Sequence, residues 1–170
     1  AVTNVVITEP PVLTASITAQ ANVSCNGGNN GSATITASGG TPGYFYSWSN
    51  GQTISSISGL AANTYSVIIT DANGCTAVTN VVITEPPVLT ASITASTNVS
   101  CNGGNNGSAT VTAGGGTSGY FYSWSNGQTI SSISNLISNT YSVIITDANG
   151  CTAVTNVVIT EPPVLTASIT

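Results

Sequence analysis

The sequence predicts an all-β protein built as tandem sandwich modules of about 76 residues, chained head to tail into a rod. Three observations carry this expectation. The string AVTNVVITEPPVLTASIT occurs at Ala1, Ala77 and Ala153, a spacing of 76 residues. Within each period, apolar residues alternate with Thr and Ser in the period-two pattern of half-buried strands. Gly-, Asn- and Pro-rich turn signals break that alternation roughly every 8–12 residues, the spacing of a β-sandwich.

The repeat comes first because it organises the rest. Cys25 returns as Cys101, Trp48 as Trp124 and Cys75 as Cys151. Over one period eight positions differ, among them Pro42/Ser118, Gly59/Asn135 and Ala61/Ile137. Such similarity marks recent duplication and nearly superimposable modules. The natural boundary is Glu-Pro-Pro, at Glu9-Pro10-Pro11, Glu85-Pro86-Pro87 and Glu161-Pro162-Pro163. Consecutive prolines donate no ladder bonds and hold the backbone extended and stiff. Modules are therefore expected at 12–87 and 88–163, with 1–11 as the last strand of a preceding repeat and 164–170 as the first strand of a following one.

The strands of the first module follow in order. Leu13, Ala15 and Ile17 alternate with Thr14, Ser16 and Thr18, and residues 26–31 (NGGNNG) turn the chain. Ala33, Ile35 and Ala37 alternate with Ser32, Thr34, Thr36 and Ser38 before a turn at 39–43. An aromatic strand, 44–48, ends at Asn50-Gly51, a strong hairpin signal. Short strands are expected around Ile54 and Ile57. The strongest, 64–70, places Tyr65, Val67 and Ile69 on one face, and the DANG turn at 71–74 leads to a last strand, 76–84. Seven short strands in about 76 residues indicate an immunoglobulin-like sandwich, with Tyr65 where a tyrosine corner belongs.

Charge narrows function. The chain has no Lys, Arg or His and a net charge of −5, with only 3% charged residues against 41% hydrophobic. Without cations it grips neither nucleic acid nor an anionic membrane surface, and no apolar run reaches the length of a membrane span. Catalysis is not expected: general acid–base work needs His or a tuned Lys or carboxylate, and no base is present to activate Ser or Cys.

Two cysteines per module imply an oxidising, extracellular setting. CxxC spacing and His are absent, so disulfides among Cys25, Cys75, Cys101 and Cys151 are expected and zinc is not. Pairing within each module, Cys25–Cys75 and Cys101–Cys151, closes a loop of about 50 residues and stabilises by roughly 4 kcal/mol. It requires the segment 22–25 to cross back along the last strand. Otherwise Cys25 lies near Cys151 and the bond staples neighbouring modules.

Four further features are candidate sites. Tyr44, Tyr46 and Trp48 share one strand face, as do Tyr120, Tyr122 and Trp124. They are expected to be core, with Phe45 outward, and the alternative is a platform for sugar rings. The outer Ser32, Thr34 and Thr36 row is expected to be a plain solvated face. Glu85, Asp147 and Asn149 are the carboxylate and amide groups that a calcium ion at a module junction would use; no other cofactor is implied. Asn22, Asn30, Asn98 and Asn106 open N-glycosylation sequons.

The run 23–53 (VSCNGGNNGSATITASGGTPGYFYSWSNGQT) and the segment 63–76 (NTYSVIITDANGCT) resemble the SprB repeat, as do their copies within 99–152. The shared elements are C-N-G-G, Y-x-W-S-N-G and T-D-x-N-G-C. The resemblance implies giant cell-surface adhesins of gliding Bacteroidetes, exported by type IX secretion. Its two cysteines match Cys25 and Cys75, which as an implication of the resemblance favours pairing inside the module. The expected role is then the shaft and gripping surface of an extracellular filament, whose partners are a surface polysaccharide or substratum, neighbouring repeats and further copies of itself. The rival role is a carbohydrate-binding module using the aromatic strand.

Overall fold

The computed structural model describes residues 2–169, which are all strand, turn or extended chain, with no helix. The chain divides into two compact units, Ala1–Glu85 and Pro86–Thr170.

The first unit has six strands: β1 (Thr14–Ala21), β2 (Gly31–Ser38), β3 (Phe45–Trp48), β4 (Ser56–Leu60), β5 (Asn63–Thr70) and β6 (Thr76–Ile83). They form two antiparallel three-stranded sheets, β1-β2-β4 and β3-β5-β6. This is the immunoglobulin strand order A-B-E against C-F-G, with strand D missing. The second unit repeats it with β7 (Thr90–Thr97), β8 (Gly107–Gly114), β9 (Phe121–Trp124), β10 (Ser132–Leu136), β11 (Asn139–Thr146) and β12 (Thr152–Ile159). Its sheets are β10-β8-β7 and β12-β11-β9.

Period-two alternation decides which residues face inward. In β5, Val67 and Ile69 are fully buried while Ile68, between them, is exposed. Ala33 and Ile35 of β2, Ile57 and Leu60 of β4 and Ile83 of β6 meet them with Trp48 in one closed core. A separate equivalent cluster fills the second unit. Burying one such Ile or Val stabilises by about 1.5–3 kcal/mol, so this interior is the main support of each small unit.

The expected strand at Ile54 does not form. Asn50-Gly51 makes its turn, with Gly51 N–H donating to Trp48 C=O (2.9 Å) and Trp48 N–H to Gln52 C=O (3.0 Å). The chain then crosses to the other sheet instead of returning along β3. The carbonyl of Ile54 accepts the Trp48 indole N–H at 2.9 Å, and that of Ser55 accepts the Ile35 N–H at 2.9 Å. Ile54 itself stays 60% exposed.

Residues 2–10, which copy the sequence of β6 and its proline joint, form no strand. In each unit that string is a strand because β5 or β11 pairs with it over its whole length. Val2, Val5, Val6 and Ile7 are exposed. The described part of 164–170 is likewise without a strand.

Candidate functional site

The aromatic strand is interior. Trp48 is 3% exposed and its indole N–H is bonded, while Tyr44 and Tyr46 are half-buried against the core. The Tyr44 hydroxyl donates to Gly39 C=O at 2.7 Å. Trp124, Tyr120 and Tyr122 repeat the arrangement, with 2.9 Å from Trp124 Nε1 to Ile130 C=O and 2.6 Å from the Tyr120 hydroxyl to Gly115 C=O. Phe45, 71% exposed, is the aromatic that points out. Tyr65 donates its hydroxyl to Ala61 C=O at 3.1 Å, the bond of a tyrosine corner at the start of the F strand.

The upstream pole of each unit is organised by a buried carboxylate. Asp71 is 2% exposed at the β5–β6 turn. Its Oδ1 accepts N–H bonds from Asn73 (3.0 Å) and Cys75 (2.8 Å), and its Oδ2 one from Thr41 (2.8 Å) on the β2–β3 loop. Asn73 Nδ2 adds a bond to Thr41 Oγ1 at 2.8 Å. Two loops are thus tied through one side chain. The Thr41 N–H first, then those of Cys75, Asn73 and Gly74, hold the Asp71 carboxyl below the usual aspartate range against the opposing effect of burial. Asp147 does the same with Thr117, Asn149 and Cys151. Sequence reasoning makes Asp71 an ordinary turn residue; the sign of more is its place directly after the most apolar strand, where the turn is drawn inward.

The downstream pole is tied differently. Val23 N–H donates to Thr84 C=O at 2.9 Å, and Thr84 N–H to Asn22 Oδ1 at 3.1 Å. Glu85 Oε2 accepts the Gly27 N–H at 2.6 Å, and Glu161 the Gly103 N–H at 2.8 Å. Asn30 bridges to Ser24 through both amide atoms, at 2.9 and 2.7 Å, and Asn106 to Ser100 likewise. The sequon asparagines Asn22, Asn30, Asn98 and Asn106 are thus structural braces.

These bonds bear on calcium. Glu85 Oε2 and both Asp147 oxygens accept backbone N–H bonds within their own units, and Asn149 Nδ2 donates to Thr117 Oγ1. No group of three or more His, Cys, Asp or Glu that suits a metal occurs among the described residues.

The cysteines part company with the expected pairing. Cys75 leaves the Asp71 turn at the upstream pole, where it lines an open groove of about 350 Å³ with Pro10 and Pro11. Cys101 lies at the opposite, downstream pole, in a groove of about 730 Å³ with Pro162 and Pro163. Cys25 belongs to the equivalent downstream loop of the first unit, its carbonyl accepting the Gly28 N–H. Between Cys75 and that loop runs β6, eight residues long, or about 26 Å at 3.3 Å per residue. A disulfide needs Cα atoms within about 7 Å, so Cys25–Cys75 and Cys101–Cys151 are out of reach. Cys75 and Cys101 are free, exposed thiols, whereas Cys25 and Cys151 are disulfide-bonded. The segment 22–25 does not cross back along β6, because its bonds to Thr84 hold it at the downstream end.

Two closed sandwiches of A-B-E and C-F-G order, each with a buried tryptophan on the C strand and a tyrosine corner on the F strand, define tandem immunoglobulin-like repeats. The SprB repeat model matches residues 17–53 and 93–129, one match in each unit. Each match begins inside β1 or β7 and ends in the loop after β3 or β9. The repeat family and the fold together mark a structural repeat region of a cell-surface protein. Curated proteins give no match. Among solved structures, a chain from work described as "Structural basis for Dscam isoform specificity" is similar at 15% identity and a TM-score of 0.36, over 83% of this chain and 42% of that one. The chain thus spans less than half of that protein's length, and the strand order carries the fold assignment without it.

Proposed function

We propose that these repeats form the non-catalytic shaft and gripping surface of an extracellular adhesive filament, of the kind exported by type IX secretion and used in gliding. One observation carries the reading: each unit spends its buried polar groups on its own loops. Asp71, Trp48 and Tyr65 all bond to nearby backbone, and no buried side-chain nitrogen or oxygen among the described residues lacks a partner. A module so closed in on itself serves reach and strength.

The gripping surface is the outer face of β3-β5-β6, where Phe45, Ile68, Val78 and Val82 are exposed, with Phe121, Ile144, Val154 and Val158 in the second unit. Apolar side chains on an almost uncharged sheet suit broad, weakly selective contact with a substratum or a surface polysaccharide. Beads coated with the chain are expected to adhere to glass and to polysaccharide gels, and to detach several times more readily when Phe45→Thr and Phe121→Thr are combined. Unchanged adhesion of the double variant would remove the face from this role. Saturable binding of one oligosaccharide with a change in tryptophan fluorescence would favour a carbohydrate-binding module instead.

A further inference from the structure

We propose that Asn102-Gly103, with its copy Asn26-Gly27, is a self-modifying site, at which the chain converts its own asparagine to aspartate and isoaspartate with Glu161 or Glu85 as internal base. The inference concerns covalent ageing of the repeat and holds whatever the filament adheres to.

Asparagine followed by glycine closes readily on itself, because Gly puts no side chain in the path of the attack. The second unit has four such pairs, and their surroundings differ. Asn106 is locked to Ser100 through both amide atoms, and a Cβ at Gly107 would lie 2.8 Å from Ile159 Cγ2, so a ring has no room there. The Gly127 N–H donates to Trp124 C=O at 2.9 Å and the Gly150 N–H to Asp147 C=O at 3.0 Å. A peptide carbonyl is no base. Of the four, it is Gly103 whose nitrogen faces a carboxylate, its N–H donating to Glu161 Oε2 at 2.8 Å. In the first unit the Gly27 N–H meets Glu85 Oε2 at 2.6 Å.

Two further observations prepare the site. Asn102 Nδ2 donates to Pro162 C=O at 3.1 Å, so the side-chain amide and the Gly103 N–H turn toward the same two residues, Glu161 and Pro162. Nucleophile and target are thereby held on one side of the loop, as ring closure requires. Gly103 has φ 73 and open space where a Cβ would stand, and Asn102 is exposed, so the ring has room and water has access.

The Glu161 carboxylate takes the proton of the Gly103 N–H as that nitrogen bonds to Asn102 Cγ. The Cγ–Nδ2 bond then breaks, and the amide nitrogen leaves as ammonia with the proton returned by Glu161. Water opens the resulting succinimide at either carbonyl. One opening leaves aspartate; the other leaves isoaspartate, with the backbone lengthened by one methylene. Both products set a new carboxylate beside Glu161, and the like charges loosen the brace between the downstream loop and the proline joint.

The test incubates the full chain for weeks at neutral pH and physiological temperature. Chymotryptic peptides of the reduced, alkylated chain are then read by mass spectrometry, with electron-transfer fragmentation to tell isoaspartate from aspartate. Asn102 and Asn26 are expected to convert about tenfold faster than Asn126 and Asn50, and that preference should vanish in urea. Glu161→Gln should slow Asn102 about tenfold, while Asn26, with Glu85 intact in the same molecule, keeps its rate as internal standard. Equal rates at Asn102 and Asn126 in the folded chain, a preference that persists in urea, or an Asn102 rate unmoved or raised by Glu161→Gln would overturn the proposal.

Discussion

Replacing Ile69 by Ala while leaving Ile145 intact separates the two cores. Ile69 is fully buried between the sheets, in a cluster that shares no residue with the one around Ile145. Ile→Ala removes about 0.8 kcal/mol for each lost methylene-sized group and leaves a cavity, for a total near 3 kcal/mol. A unit of this size holds roughly 4–11 kcal/mol, so the first unit loses a quarter or more of its stability and the second none. With a urea slope of about 1 kcal/mol per M, the first unit's midpoint falls by about 3 M. Urea titration in reducing buffer, followed by tryptophan fluorescence, should then show two transitions. Trp48 reports the early one and Trp124 the late one, and Ile145→Ala should exchange their order. One transition carrying the amplitude of both tryptophans would refute separate cores. A midpoint moved by less than about 0.5 M would refute the close packing of Ile69.

Three further outcomes follow from named contacts. Because backbone N–H donors hold the Asp71 and Asp147 carboxyls below the ordinary aspartate range in the folded chain, their contribution is complete above the unfolded carboxyl range and is lost as pH falls through the lowered folded values. Melting temperature should therefore drop below about pH 4, and Asp71→Asn should weaken the first unit at pH 7 while flattening that acid slope. Gly59 has φ 71 with open space around it, and Asn135 holds the same position at φ 58. Gly59→Ala should cost about 1 kcal/mol in chemical denaturation and Gly59→Asn clearly less, since Asn tolerates the left-handed region. A Cβ on Gly31 would lie 2.7 Å from Ile83 Cγ2 and 2.8 Å from Leu60 C=O. Gly31→Ala should thus cost about 1–3 kcal/mol by overpacking the two sheets.

Much of this fold was legible because strands with one buried face announce themselves by alternation. The inward set of β2 and β5 followed from period two alone, and Trp48 and Tyr65 fell where the sandwich needs them. What was not legible depended on which strand pairs with which. Asn50-Gly51 carries a strong hairpin signal, yet the chain after it joins the opposite sheet, a choice made by β2 pairing with β4. The cysteine pairing failed for the same reason. Spacing and resemblance favoured partners within a module, but strand length separates them, and only the bonds of residues 22 and 23 to Thr84 reveal at which end Cys25 stays. Asp71 was visible as a residue and invisible as a tie, because Thr41 lies 30 positions away.

The absence of cationic side chains has a structural consequence at the sheet edges. Exposed edge strands invite pairing with other chains, and Lys is a common defence. This sequence has none, so protection must come from backbone geometry. The edges are β1 and β4 in one sheet and β3 and β6 in the other. β1 is bulged between Ile17 and Ala19, β4 is bulged at Gly59, and β3 has only four residues. β6 is long and unbulged, but β1 runs beside it. In an array of nearly identical modules, the local concentration of matching strands is high and exchange between neighbours is the natural error. The left-handed residue at position 59 or 135 sits at the register shift of that edge strand and makes it irregular.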